Sequence, residues 1–528
     1  MKKLTSLLLA LLVLVNLFSC AKQKELQVSE TPPEQRAQES EMKGTLKVLS
    51  ERFCWNSPMS NVNSNNFSPV RDNIANVMFY FQELYPDVKI DIEYLPTDQE
   101  EREANIKQRR TAMMAGKEVP DIYLMPTSSL AEISYEPMEP LFKEVAQAMS
   151  NNWFADISGL YNGDTELHTE ELNKAVMDAG TIGGARYVLP LGYEMPVYIT
   201  RKDLLEDAGI DRERLNAGVD SMMDTFMELR EQGDSRWAAS SYFGYGLDLS
   251  LLPKACDYEK EEALIDSKQV ESLLLDLAEC TRIVGEEWQK KLSAGETIPG
   301  RTFHAESYLY SSPKDTSVAF AVGEDYPGSC SSMSEVIDAV GCGKSMGHEM
   351  EIIPVRAIDG TLNAEITYWG AIGAGCENKK LAYEFLRLFL TPEVQHEGQL
   401  KTPAKTYNMN FEWAKENIHG GPFPGWPVRY KGFAESRWDR TLEGFKATGG
   451  GNSQRKEALL SVTVEDSDLP FLEAPIDNAR FISSIDEEFY QYTRTVGNTI
   501  EVQDYSQADA AKAANEFIRN VNYHLAEG

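Results

Sequence analysis

The residue types that usually carry catalysis are present in this chain, but they do not form a known catalytic motif. The six histidines include no His-Glu-x-x-His arrangement, which would place two metal ligands on one face of a helix. The chain also has no Gly-x-Ser-x-Gly elbow and no phosphate-binding Gly-x-x-x-x-Gly-Lys loop. Its 83 acidic residues could still supply the two carboxylates of a glycosidase, so a glycan-active enzyme stays open as an alternative.

Cysteine usage does not indicate a metal site or a cofactor. The chain has seven cysteines, with no Cys-x-x-Cys pair and no histidines nearby at metal-ligand spacing. The glycine-rich stretches at 341–343 and 373–375 lack the helix start and the distant acid of a dinucleotide site, so they are read as turns. We therefore expect no cofactor and no metal.

The N-terminal residues have the pattern of an export signal. Residues 1–20 carry two lysines followed by an apolar run from Leu7 to Leu17, which is too short for a comfortable membrane span. The signal ends on Leu17-Phe18-Ser19-Cys20, which resembles a bacterial lipobox, in which the cysteine is diacylated and becomes the new N-terminus. Residues 21–44 have almost no large apolar side chain, which favours a disordered tether. Plain secretion is the alternative.

Charge and composition narrow the class of the remaining body. A hydrophobic content of 42% over 528 residues is ample for two or more cores. The formal net charge is −32, and there are no long Lys/Arg runs. Nucleic-acid binding needs a basic surface, so this composition argues against a nucleic-acid partner. No segment after residue 20 has the 18 to 20 apolar residues, roughly, of a membrane-spanning helix.

The residues that follow the tether predict a parallel α/β unit. Leu46 and Val48 alternate as a strand, and a helical pattern then runs from Ile74 to Leu84. A second strand at 88–94, a charged helix from about residue 99 to 116, and a third strand at 122–125 come next. Ligands gather at the carboxyl ends of parallel strands. The loops around Trp55 and at residues 126–129 are therefore candidate ligand-binding loops.

Several segments, in this order and spacing, resemble the family 1 extracellular solute-binding proteins, which are receptors of ABC-type importers, chiefly for sugars. The segments that carry this resemblance are Tyr85-Pro86-Asp87-Val88, Met114-Ala115-Gly116-Lys117, Gly183 to Leu191, Ser317 to Gly323, Gly370 to Gly373, Asn378 to Leu386 and Pro392 to Gln395. The match covers about residues 45–405, and residues 406–528 match only in length and helical content.

The resemblance implies an α/β, two-lobed periplasmic-binding-protein-like fold, with a hinge and a ligand cleft between the lobes. It places lobe 1 at about 45–187 plus 367–402 and lobe 2 at 188–366 plus 403–528, with chain crossings near 187–196 and 365–370. It implies a monomeric, membrane-anchored extracytoplasmic receptor, not an enzyme, that binds a carbohydrate, favouring an oligosaccharide, and delivers it to ABC importer permease subunits. A receptor for peptides or another non-sugar solute, and a scaffold without a small ligand, are the alternatives.

Sugar recognition uses flat apolar faces that stack on the ring and planar polar groups that pair with hydroxyls. Under the resemblance, Trp369 and Tyr326 are expected to stack on a sugar ring, and Trp426 lies in a rigid loop rich in proline and glycine. Each candidate also has a packing or turn-forming alternative. The candidate ligand-binding residues are Trp55, Asp121, Ser128, Glu194, Tyr326, Trp369 and Trp426.

Overall fold

A computed structural model describes most of the chain between residues 42 and 527. The described residues are 42–51, 73–96, 98–117, 120–127, 139–232, 251–257, 260, 262–294, 328–330, 333–396, 426–447, 453–497 and 505–527.

The strands occur along the whole described chain. They are β1 (Gly44–Ser50), β2 (Val88–Tyr94), β3 (Ile122–Pro126), β4 (Thr181–Ile182), β5 (Ala185–Arg186), β6 (Val188–Glu194), β7 (Val197–Arg201), β8 (Cys256–Asp257), β9 (Glu262–Ala263), β10 (Gly328–Cys330), β11 (Met350–Pro354), β12 (Asn363–Ile372), β13 (Trp426–Pro427) and β14 (Asn478–Phe481).

Helices connect and cover these strands. The α-helices are α1 (Asn73–Leu84), α2 (Gln99–Met114), α3 (Val145–Ser150), α4 (Ser158–Asn162), α5 (Lys174–Asp178), α6 (Lys202–Asp207), α7 (Arg212–Leu215), α8 (Val219–Glu231), α9 (Ser267–Ser293), α10 (Met333–Ser345), α11 (Lys379–Arg387), α12 (Pro392–Gln395), α13 (Phe433–Ala447), α14 (Ser453–Leu460), α15 (Ser484–Gly497) and α16 (Gln507–Glu527). Short 3₁₀ turns lie at Thr169–Glu171, Leu388–Leu390, Asp466–Asp468 and Pro470–Glu473.

A seven-stranded sheet organises the first part of the molecule, in the order β13-β6-β12-β3-β1-β2, with β14 beside β12. Strand β1 pairs in parallel with β2 on one side and with β3 on the other. Parallel neighbours need a crossover connection, which α1 and α2 supply. The predicted strand-helix-strand-helix-strand unit is confirmed. Strand β12 runs antiparallel to both β3 and β6 and joins the two halves of the sheet.

Helix α11 shows how the sequence pattern fixes a covering element. Asn378 caps the helix, because its side chain accepts a hydrogen bond from the Leu381 backbone N–H at 3.1 Å. The apolar face of α11 is buried against the sheet, and Leu386 lies over Gly370 of β12. A Cβ atom at Gly370 would come within 2.7 Å of a Leu386 methyl carbon, so this close approach requires glycine.

The hydrophobic residues form two cores. The first core lies around the seven-stranded sheet and includes Tyr123, Trp369 and Phe385, together with α10, α13 and α14. The second core is formed by α8, α9, α15 and α16 and includes Phe226 and Phe517.

A small antiparallel sheet, ordered β10-β7-β11, lies between the two cores. Successive side chains of a strand point to opposite faces. In β7, Val197 and Ile199 accordingly belong to the first core, while Tyr198 packs on Phe226 in the second core with ring centroids 5.4 Å apart. The small sheet is thus covered by apolar residues on both faces, and the described chain has the mixed α/β architecture that the sequence predicts.

Candidate functional site

The chain passes between the two sheets and the two cores at three neighbouring places. It leaves the large sheet at the end of β6 and enters β7 after Met195 and Pro196, and it returns through residues 355–362 between β11 and β12. The third passage follows β14, whose Phe481 packs on the first core, whereas Ile485 of α15 belongs to the second core. Because β6, β12 and β14 are adjacent strands, the three crossings lie side by side.

Three charged residues line up across these strands. Glu194 of β6 is directly opposite Glu365 of β12, and Glu365 is in register with Arg480 of β14. Residues in register on neighbouring strands project from the same face of a sheet. Glu194, Glu365 and Arg480 therefore form one row, which we call the crossing row.

The crossing row contains an unfavourable pair beside a favourable one. Two carboxylates directly opposite each other on adjacent strands repel, and Glu365 is only 3% exposed, which increases the cost. The Arg480 guanidinium, next in the row, lies 3.5 Å from Asp486 and donates a hydrogen bond to the Leu252 carbonyl at 3.1 Å. Carboxylate and guanidinium groups are planar and accept or donate several hydrogen bonds, so the row can bind a polyhydroxyl or polar solute.

Buried polar contacts hold the carboxyl ends of β1 and β3. Ser50 donates its hydroxyl proton to the Leu124 carbonyl at 2.8 Å and lies 3.3 Å from the Tyr368 hydroxyl. The next residue, Glu51, is buried and forms a 2.8 Å ion pair with Arg102 of α2. Burial raises the pKa of Glu51, and the adjacent Arg102 guanidinium opposes that rise. These contacts fix the carboxyl end of β1 against β3 and α2.

Trp369 lies inside an aromatic cluster on the large sheet. Its side chain is 1% exposed, and its ring packs edge-on against Phe142 and Phe154 at 5.5 Å and against Phe481 at 6.2 Å. Such T-shaped packing stabilises aromatic cores. Among the described residues, the indole N–H of Trp369 has no hydrogen-bond partner. This placement favours a packing role for Trp369 over the predicted ligand contact.

Trp426 is also enclosed. It pairs with Tyr193 at the edge of the large sheet, is fully buried, and packs edge-on against Phe471 with ring centroids 5.3 Å apart. Its partner Tyr193 directly precedes Glu194 in β6, but the indole ring of Trp426 packs in the first core. As for Trp369, the described contacts favour packing.

Asp121 lies at the opposite end of β3 from the crossings. Its carboxylate accepts a hydrogen bond from the Lys47 backbone N–H at 2.8 Å. Burial, together with this carboxylate, raises the pKa of the Cys376 thiol to about 12. The contacts of Asp121 thus tie β1, β3 and the turn after β12 together at the amino end of β3, and they favour the turn-forming alternative.

Among the predicted site residues that the structure describes, Glu194 is the one whose charged side chain lies at the crossings. Trp55, Ser128, Tyr326 and Cys20 lie outside the described residues. The sequence reasoning did not select Glu365 or Arg480 as site residues. Glu365 is the first residue of the predicted second crossing, and this position could have marked it as a site residue. Arg480 lies in a short strand with no distinctive local pattern.

Two further features of the described residues bear on the class of site. No group of three or more histidine, cysteine or acidic side chains within these residues is arranged to hold a metal ion. Within the same residues, no helix is long and apolar enough to cross a membrane.

The two cores, the crossings between them and the polar row define a two-lobed binding protein. A model of the bacterial extracellular solute-binding protein family matches residues 63–396, which is more than half of the chain. The chain therefore belongs to the bacterial extracellular solute-binding protein family. The predicted family and fold class are confirmed, and residues 397–528 extend beyond the matched region. No curated protein matches the chain.

Solved structures with similar topology have low sequence identity. The sugar-binding protein MalE from Xanthomonas citri is 11% identical, with a TM-score of 0.45, covering 92% of this chain and 98% of that one. A cyclic α-maltosyl-1,6-maltose binding protein from Arthrobacter globiformis is 15% identical, with a TM-score of 0.43 and coverages of 91% and 100%. A family 1 extracellular solute-binding protein from Alicyclobacillus acidocaldarius is 12% identical, with a TM-score of 0.43 and coverages of 92% and 99%.

Proposed function

We propose that the protein is an extracytoplasmic receptor that binds a carbohydrate, favouring an oligosaccharide, between its two lobes and delivers it to the permease subunits of an ABC importer. Membership of the solute-binding family supports the receptor role. The observation that carries the proposed ligand class is the crossing row, in which Glu194, Glu365 and Arg480 share one face where the chain passes between the cores. Carboxylates and guanidinium groups are well suited to hydrogen-bond several hydroxyls of one ligand.

The proposed ligand position follows from the chain crossings. The sequence-based bounds give lobe 1 as residues 45–187 plus 367–402 and lobe 2 as residues 188–366 plus 403–528, but β6, α10, α13 and α14, which those bounds put in lobe 2, pack in the first core. We therefore take the two cores as the two lobes. Closure of two such lobes about their crossings would bury a ligand next to Glu194. Trp55 and Ser128 on the first lobe, and Tyr326 on the second, are proposed to supply the stacking and hydroxyl contacts.

The proposed location of the receptor rests on its N-terminal sequence. Acylation of Cys20 would anchor the protein on the outer face of the cytoplasmic membrane, and residues 21–44 would let the monomeric body reach a permease. In cells, Cys20→Ala is expected to release the protein or to block its processing. A variant that stays membrane-bound with unchanged mobility would contradict lipid anchoring.

The ligand class is tested by thermal shift and calorimetry on residues 21–528 against a panel of mono- and oligosaccharides. A ligand at a hundred times its Kd adds about 2.7 kcal/mol to the free energy of unfolding, which is a readily measured rise in melting temperature. Glu194→Gln is expected to weaken binding of that ligand roughly tenfold or more, since a charged hydrogen-bond acceptor is lost. Glu206→Gln, on the exposed side of α6, is the matched control and should bind as the parent does.

The alternatives predict different results in the same experiment. A receptor for another solute would show no shift with any sugar and a shift with a peptide panel. A glycan-active enzyme would turn over an oligosaccharide, which chromatography of the incubated ligand detects. Either result would overturn the proposed carbohydrate receptor.

A further inference from the structure

A contact between the two cores lies beside the third crossing. The Glu144 carboxylate accepts two hydrogen bonds from Ser484, one from its backbone N–H at 3.0 Å and one from its hydroxyl at 2.5 Å. Glu144 is the residue before α3, whose Val145 and Met149 are buried in the first core. Ser484 begins α15, whose Ile485 belongs to the second core. The contact therefore joins helices that are packed in different cores.

The Glu144 carboxylate accepts hydrogen bonds at the start of α15 and does not cap its own helix, α3. Glu144 occupies the N-cap position of α3 without forming a side-chain cap hydrogen bond there. At α15 it meets a backbone N–H that has no partner within the helix, at the end where the helix dipole favours an anion. Charge-assisted hydrogen bonds of this kind are shorter and stronger than neutral ones.

Helix α16 provides an internal comparison, because its first turn has the same local design. In α15, Ser483 and Asp486 bond to each other's side chain and backbone, and in α16 Ser506 and Asp509 do the same. The first helical residue of α16 is Gln507, whose side chain bonds to Glu271 of α9, within the same core. The carboxylate from the other core is thus an addition to α15 and not a general requirement of this capping pattern.

A pocket of about 350 Å³ lies next to the contact and separates the cores there. Its walls include Met149 and Ile182, which pack with the first core, and Cys256, which belongs to the second core. Glu144 and Ser483 also line it. A rotation of one core against the other changes the width of such a pocket. Hydrogen bonds tolerate only a few tenths of an ångström of stretching, so the rotation would break the Glu144–Ser484 contact.

We propose that the Glu144–Ser484 contact is a latch that favours the arrangement of the two lobes seen in this structure and thereby sets the affinity of the receptor for its solute. This inference rests on the proposed function, in that it treats lobe rotation as part of ligand binding. A contact present in one arrangement and absent in the other shifts the equilibrium between them, and ligand affinity shifts with it by linkage.

The test uses residues 21–528 and a proline substitution that removes the latch but suits the helix. Ser484→Pro deletes both donors, and proline is favoured at the first position of a helix because its missing N–H has no partner within the helix. Gln507→Pro, at the equivalent position of α16, is the matched control. Glu144→Gln is a second variant, which keeps the shape of the side chain and removes its charge.

Solution scattering of the ligand-free proteins is the first measurement. Ser484→Pro and Glu144→Gln are expected to change the scattering profile in the same direction, and Gln507→Pro should match the parent. The affinity for the sugar that binds the parent should change about threefold to tenfold in both latch variants. A more compact ligand-free ensemble should accompany tighter binding, and a more expanded one weaker binding.

The latch would be overturned if folded Ser484→Pro and Glu144→Gln gave the same ligand-free scattering profile as the parent. It would also be overturned if Gln507→Pro changed the profile as much as Ser484→Pro does. An affinity change opposite in sign to the change in compactness would also overturn it. If no sugar binds the parent, the proposed function fails, but the ligand-free scattering still decides the latch. The two failures are therefore distinguishable.

Discussion

The aromatic cluster around Trp369 and the crossing row around Glu365 share one strand, β12, but differ in the forces between their side chains. In the cluster, Trp369, Phe142, Phe154 and Phe481 pack edge to face, and each ring gains from the others. In the crossing row, Glu365 lies beside Glu194, and the two carboxylates repel.

Acids placed side by side need compensating partners, whereas packed rings stabilise one another. Buried groups of like charge that share a site are frequent at functional sites. The cluster stabilises the sheet without a ligand. The crossing row is the region to which the proposed function assigns a polar ligand, so the two regions should respond differently to mutation.

The largest effect is expected from Trp369→Ala, which breaks the aromatic cluster. Removal of a fully buried tryptophan leaves a cavity and should lower the free energy of unfolding by about 3–5 kcal/mol, measured by urea denaturation. Affinity for the sugar should stay within about twofold of the parent's, as judged by calorimetry below the shifted melting temperature.

Trp369→Phe is the matched variant for the cluster, because it keeps an aromatic ring and should lose less stability. The original expectation that Trp369 stacks on a sugar ring predicts the reverse pattern. In that case Trp369→Ala would lose about tenfold to a hundredfold in affinity while the melting temperature of the ligand-free protein held.

Local sequence pattern was sufficient for the elements but not for the pairing of distant strands. The alternation in β2, the helical spacing in α1 and the Asn378 cap of α11 are encoded within a few residues, and the structure has each of them as expected. Glu194 was placed near a crossing by the family resemblance, and it ends β6 where the chain crosses to β7. The partners of Glu194 could not be found in this way, because strand register depends on residues far apart in the chain.

The burial of the predicted aromatics has the same origin. A tryptophan that precedes a glycine-containing strand segment is compatible with a cleft wall or with a core. The core placement of Trp369 is visible only from its contacts with Phe142, Phe154 and Phe481, which come from three other segments of the chain. Arg480 likewise became a candidate only once β14 was seen beside β12. Sequence periodicity states which face of an element is apolar, but not which distant residues share that face.

A smaller effect is expected in the crossing row itself. Arg480→Met removes the cation beside Glu365 and Asp486 and should lower the free energy of unfolding by about 2–3 kcal/mol, since nearby carboxylates lose their charge partner. Glu365→Gln removes one of two repelling charges but also a charge partner of Arg480, so it should change the free energy of unfolding by less than about 1 kcal/mol in either direction. Both values come from urea denaturation at neutral pH.

The relative stability losses of Arg480→Met and Glu365→Gln test the distinction between the row and the cluster. A larger stability loss for Glu365→Gln than for Arg480→Met would mean that Glu365 is a structural anchor, and the distinction between the row and the cluster would disappear. Both variants should weaken sugar binding, since each removes a polar group of the row, whereas Trp369→Ala should not.

A cluster of acids on α8 and α9, in the second core and outside the crossing row, gives a separate measure of the cost of adjacent acids. Asp276 of α9 has its pKa raised to about 6 by partial burial and by the nearby charges of Asp224, Asp220 and Glu279. An acid with a raised pKa in the folded state binds its proton more tightly there than in the unfolded chain. Its contribution to stability is therefore present at low pH and is lost as the pH rises from about 4 through about 6.

Asp276→Asn should accordingly raise the free energy of unfolding at pH 7 by about 1 kcal/mol, a value reduced for solvent screening of a half-exposed group, and should have little effect near pH 4. Asp509→Asn is a control of opposite sign, because hydrogen bonds from Ser506 lower the pKa of Asp509, and its loss should destabilise the protein at pH 7. Urea denaturation at several pH values measures both. An equal rise in the free energy of unfolding for Asp276→Asn at pH 4 and pH 7 would show that charge repulsion is not the cause. The repulsion assigned to the carboxylate pair of the crossing row would then lose this independent support.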